Sequence, residues 1–111
     1  MKKFALILIS SLALSACGDN IQAGSISKLE KKVTQQALSA PETSINIFLE
    51  KIETAGVEEQ GVYMYGMAVA REKMGDKDGA LNDYLAAEAL GNQSARVVLS
   101  DRFADSYSPQ P

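Results

Sequence analysis

Five stretches of this chain repeat an apolar residue every third or fourth position, the period of a helix that turns one face to a core. The first runs from Ser25, with Ile26, Leu29, Val33 and Ala37 on one stripe and Lys28, Lys31, Lys32 and Gln35 on the other faces. Pro41 cannot continue that helix but suits the opening turn of the next, and Ser39 with Glu42 has the spacing of a capping box. Ile45, Phe48, Leu49 and Ile52 then predict the buried stripe of a second helix, ended by Gly56. A third helix is predicted from about Val57 to Met74, with Met64, Met67, Ala68 and Met74 at helical spacing. Such a methionine stripe reads first as core filling and second as an adaptable binding groove.

Gly75-Asp76 predicts the next bend, with Asp76 capping a fourth helix whose Ala80, Leu81, Tyr84, Ala87 and Leu90 share a stripe. Gly91-Asn92 closes it. A fifth helix spans about Gln93 to Phe103, with Ala95, Val98, Leu99 and Phe103 inward. No stretch alternates with a period of two for long enough to make a strand, so the fold class is all-α. Short bends make successive helices antiparallel, packed as a short stack of helical hairpins or, alternatively, as a small helical bundle. Gly18 to Ser25 shows no periodicity and reads as a tether, and Asp105 to Pro111 as a flexible tail.

Ahead of these helices, Lys2 and Lys3 precede an apolar run from Phe4 to Leu14, which ends in Leu14-Ser15-Ala16-Cys17. The run is shorter than the roughly 20 apolar residues that cross a bilayer. A basic start, a short apolar core and small residues before a cut site predict a secretory signal over residues 1–16. The Leu-Ser-Ala-Cys ending resembles the lipobox of bacterial lipoproteins. That resemblance implies that Cys17, the single cysteine, becomes the N-terminus of the mature chain and carries a diacylglycerol and an N-acyl chain. Gly18 rather than Asp follows it, which in such lipoproteins implies the outer membrane, facing the periplasm. The expected organisation is a signal (1–16), a lipidated N-terminus and tether (17–25), an all-α domain (26–104) and a tail (105–111).

Charge and chemistry narrow the function. The 111 residues hold 11 Lys and Arg against 14 Asp and Glu, a net charge of -3, and loss of Lys2 and Lys3 with the signal leaves 9 against 14. This acidity argues against nucleic acid as a partner, because phosphate binding needs clustered cations. It also gives an anionic lipid surface little to hold, so the acyl chains are expected to supply the membrane anchoring. Histidine is absent, which removes the commonest general base, the usual zinc ligand and the base of a serine triad. Asp76 and Asp78 lack calcium-loop spacing, and no Gly-rich phosphate cradle occurs. No catalytic residue, metal site or cofactor beyond the acyl groups is expected, and the chain reads as non-enzymatic.

Tyr65-Gly66 and Leu99-Ser100 lie 34 residues apart, as do Gly61 and Ala95, and that offset is the tetratricopeptide period. Residues 61–94 resemble such a repeat: Ala68 at the small position of its first helix, Gly75-Asp76 at the turn, and Ala80, Tyr84, Ala87 and Leu90 on its second helix. The run Ala80 to Ala95 is equally similar to the Sel-type variant. Arg71 stands where the family prefers an aromatic, no Pro follows Leu90, and the offset does not extend back into residues 27–60. The resemblance thus covers one repeat and the following helix, residues 61–100. It implies a concave face on the first helix of the hairpin, offering Val62, Tyr65, Val69, Glu72 and Lys73 to a partner, with Tyr63 and Tyr65 supplying contact area. Either Tyr65 faces that groove, or it packs against helix two and leaves only Tyr63 exposed. The function so implied is a membrane-anchored protein-protein adaptor, similar to pilotins, that grips a segment of an envelope or secretion/pilus assembly protein. The alternative is an immunity or exclusion lipoprotein whose acidic surface blocks a basic toxin or a conjugative-transfer protein.

Overall fold

The computed structural model describes residues 19–107, with side chains from Gly24 onward. The predicted signal, Cys17 and Gly18, and the tail from Ser108 to Pro111 lie outside the described residues. Five helices follow one another: α1 (Asp19–Ser39), α2 (Pro41–Ile52), α3 (Val57–Lys73), α4 (Lys77–Ala89) and α5 (Gln93–Arg102), with a short 3-10 turn at Ala104–Ser106. Among the described residues there is no strand, and the fold is all-α as the periodicity predicts.

The first departure from the sequence reading is at the start. Helix α1 begins at Asp19, so Asp19 to Ser25 extend the helix rather than forming a tether. Each residue added to an existing helix gains a hydrogen bond, and the lone Gly24 costs only about 1 kcal/mol against alanine. Val33 and Ala37 are buried, and Ile26 and Leu29 pack against the core beside them.

At the corner into α2, Ser39 is the last residue of α1 and caps nothing. Ala40 takes the N-cap position without a side-chain bond, and Pro41 opens the helix. A different serine holds this corner. Ser44 is fully buried, and its hydroxyl donates to the carbonyl of Gln36 at 2.9 Å, which also accepts the Ala40 N–H at 2.9 Å. Helix α2 stops at Ile52, and Gly56 instead N-caps α3, its N–H donating to Glu59 Oε1 at 3.3 Å. Phe48 is buried and Ile45 and Ile52 are partly so, whereas Leu49 is 49% exposed. The buried face of α2 is narrower than its apolar stripe, because α2 packs on α3 and only slightly on α1.

The two later turns share one design. After α3, Gly75 adopts a φ of +87°, with Gly75 N–H donating to Glu72 O and Asp76 N–H to Arg71 O. After α4, Gly91 adopts +94°, with Gly91 N–H donating to Glu88 O and Asn92 N–H to Ala87 O. Both are Schellman closures, for which glycine accepts the left-handed backbone without steric cost. The residue after each glycine then caps the next helix: Asp76 Oδ1 accepts from Gly79 N at 2.9 Å, and Asn92 Oδ1 from Ala95 N at 2.8 Å.

Helix α3 is the hub. It packs against α1, α2 and α4, while α4 carries α5. Gly61, Val62, Gly66, Met67, Ala68, Val69 and Ala70 are consequently all buried, a helix covered on nearly every side. Small residues make the close approaches possible, since Ala68, Ala70, Ala80, Ala87 and Ala95 are fully buried. The methionine stripe contributes less than its spacing suggests. Met67 is buried and Met64 half-buried, but Met74 follows the last residue of α3 and is 41% exposed. Nor is the whole tail free: Tyr107 is buried and its hydroxyl donates to the Glu88 carboxylate of α4. An aromatic ring gains more from burial against the helices than the polar residues around it lose by ordering.

Candidate functional site

A groove of about 320 Å³ is bounded by α1, α3 and the end of α5. Thr34 and Leu38 form one wall, Tyr65, Val69, Glu72 and Lys73 the floor and rim, and Arg102 the far wall. Spacings of three and four residues place the four α3 side chains on one face. Val69 is nearly covered and makes the floor, while Lys73 stands exposed on the rim without an ion pair among the described residues. Leu38, 48% exposed, gives the groove its apolar lip.

Four of the six partner-contacting residues expected from the sequence therefore converge: Tyr65, Val69, Glu72 and Lys73. Tyr63 does not join them. Its ring lies 5.8 Å from that of Phe48, tilted by 35°, so it packs on α2. The two tyrosines thus divide in the sense opposite to one of the sequence alternatives, with Tyr65 at the groove and Tyr63 against helix two. Val62, also expected to face a partner, is fully buried in the core and unavailable. One turn of α3 separates Val62 from Gly66, and both fall where neighbouring helices close over the hub.

Behind the groove, three rings form a row. Tyr65 and Tyr84 are 5.8 Å apart and tilted by 60°, and Tyr84 and Phe103 are 5.7 Å apart and tilted by 53°, geometries favoured by the ring quadrupoles. Burial pushes the Tyr65 hydroxyl above its ordinary pKa, helped by Glu30 and Glu72. Tyr84 is pushed up further, mainly by burial and then by donating to Glu72 Oε1 at 2.7 Å. Glu72 is the junction of this row. Arg102 grips it with two bonds, Nε to Oε2 at 2.8 Å and a terminal nitrogen to Oε1 at 2.9 Å, the fork geometry that suits guanidinium and carboxylate. One carboxylate thereby ties α3 to both α4 and α5.

Arg102, foremost through its hydrogen bonds, and Tyr84 hold the Glu72 carboxyl below its ordinary value of 4.5. The folded state therefore favours the charged form more than the unfolded chain does, and stability is full above about pH 4.5 and lost as pH falls through the lower folded-state pKa. Urea titrations across the acidic range are expected to show this loss, and Glu72→Gln to remove that part of the pH dependence while lowering stability at neutral pH. An unchanged acid limb in the variant would show that the clasp contributes nothing.

The other half-buried carboxylates are likewise committed to structure. Glu30 accepts from Asn92 Nδ2 at 2.9 Å and from Ser94 Oγ at 2.7 Å, pinning α1 to the start of α5 at the edge of a hollow of about 450 Å³. Asp83 accepts from Arg71 Nε at 2.7 Å, and burial raises its pKa against that attraction. Arg71 also reaches Asp76 at 3.4 Å, so charge closes the hairpin between α3 and α4. Among the described residues, no three side chains able to ligate a metal converge, and no helix is long and apolar enough to cross a membrane.

No protein family, curated protein or solved structure matches the chain. Sequence reasoning missed Thr34, Leu38 and Arg102. Leu38 carried a usable signal, a large apolar residue one position beyond the Val33–Ala37 stripe; Arg102 carried none, since its place depends on how α5 swings across α3.

Proposed function

We propose that this chain is a lipid-anchored adaptor, tethered by acyl chains on Cys17 to the periplasmic face of the outer membrane, which holds a segment of an envelope or secretion/pilus assembly protein in the α1–α3–α5 groove. The observation that carries this reading is the convergence of Tyr65, Val69 and Lys73 with Leu38 in one open groove. An aromatic, an apolar floor and an uncompensated cation at helical spacing suit an amphipathic segment laid across the hairpins. Lining by the first helices of the two hairpins, α1 and α3, is also what a tetratricopeptide-like stack would give, and the shared turn design after α3 and α4 supports that kinship.

A photo-crosslinking amino acid in place of Leu38 is expected to capture a discrete partner in intact cells, and the same group in place of Val97, exposed on the outer side of α5, to capture none. Tyr65→Ala combined with Lys73→Glu is expected to abolish that capture with helical circular dichroism unchanged. Truncating such an anchor typically costs about 2 kcal/mol, more than a tenfold loss of affinity. Capture that survives the double substitution would place the partner elsewhere.

A further inference from the structure

The outward face of α1 carries a cluster of exposed positive charge. Lys28, Lys31 and Lys32 stand at i, i+3 and i+4, so they share one face, and each is exposed. None forms an ion pair among the described residues. The nearest acid in sequence, Glu30, points the other way, with both carboxylate oxygens bonded to α5. Gly24 and Gln35 complete the face, both exposed, and its back is the Val33–Ala37 stripe packed into the core. A chain that is acidic overall thus presents a basic face at residues 28, 31 and 32 of its first helix.

We propose that this lysine face docks on the anionic phospholipid leaflet that holds the anchor, laying α1 flat along the membrane. The inference rests on the anchoring at Cys17 proposed above, because a lipid there delivers this face to the surface. Helix α1 starts at Asp19, two residues after Cys17, so the helix begins close to the anchor in sequence. At about 1.5 Å per residue, Lys28 lies roughly 14 Å along the axis from Asp19. Salt screens exposed charges beyond about 8 Å, so the lysines feel the headgroups only when the helix lies down. Each lysine near such a surface contributes several-fold, and three together favour the docked orientation by roughly two orders of magnitude. The docked helix turns the Thr34 and Leu38 wall of the groove sideways, level with the headgroups.

The chain contains no tryptophan, which gives a clean probe. Gln35→Trp in the acylated chain, placed in vesicles containing brominated phosphatidylglycerol, is expected to be strongly quenched, and Val97→Trp on α5 not at all. Quenching at position 35 should vanish in molar salt, in vesicles of neutral lipid carrying the same bromine, and in the Lys28→Gln, Lys31→Gln, Lys32→Gln triple variant. Equal quenching of both probes, or quenching indifferent to salt and to the lysines, overturns the docking. Radiolabelled palmitate incorporation, lost in Cys17→Ala, reports the anchor separately. If the natural chain takes up no label, its single thiol coupled to a maleimide phospholipid supplies the tether, and the same comparison decides the lysine face alone.

Discussion

Gly66→Ala is expected to lower the melting temperature of the domain by roughly 10 to 20 °C, an effect opposite in sign to the usual glycine-to-alanine change in a helix. In an open helix the added methyl stabilises by up to about 1 kcal/mol. Here an ideal Cβ at position 66 falls far inside contact distance of Val33 Cγ1 and 2.8 Å from Phe48 Cε2. Neither neighbour can move aside, since Val33 is 2% and Phe48 1% exposed. The methyl must push α1 or α2 off the hub, and overpacking of a close-packed core costs about 1 to 3 kcal/mol or more. Val33→Ala in the Gly66→Ala background is expected to recover part of the loss by opening the space. A thermal melt that stays put or rises would mean the three helices do not meet at Gly66 as described.

Met67→Asp is expected to abolish folding, leaving circular dichroism without its helical minima at neutral pH. Met67 is 3% exposed on the helix that packs against α1, α2 and α4, and an unpaired carboxylate there finds no partner and no water. Effective burial costs of several kcal/mol per ion compare with total stabilities of about 5 to 15 kcal/mol for whole domains. Met74→Asp is the matched control. That residue lies beyond α3 and is 41% exposed, so the same change there should alter stability by about 0.5 kcal/mol at most.

These two methionines show how far the pattern alone reaches. Periodicity located all five helices, and the Gly-Asx pairs at 75–76 and 91–92 located two turns to the residue, because caps and left-handed glycines are local chemistry. What periodicity does not carry is how much of each apolar face a neighbour covers. Leu49 and Met74 lie on predicted stripes and are exposed, while Ser44 lies off one and is buried, each outcome set by where α3 crosses its partners. Gly66 was legible as half of a 34-residue echo, but its meaning as a crossing point was not. At the groove the α3 residues could be grouped from spacing alone, whereas Leu38 and Arg102 joined them through tertiary packing.

The hub also sets the order in which the chain can become a protein. Helices α1 and α2 lean on α3 far more than on each other. Whichever way the polypeptide is delivered, N-terminus first from a ribosome or from a membrane channel, its leading half lacks its main packing partner until residues 57–73 have emerged. Through that interval Val33, Ala37 and Phe48 are uncovered, and a chaperone has its window. Once α3 arrives both earlier helices have their partner, and α4 joins as residues 77–89 follow, so emergence rather than helix formation times the birth of the fold.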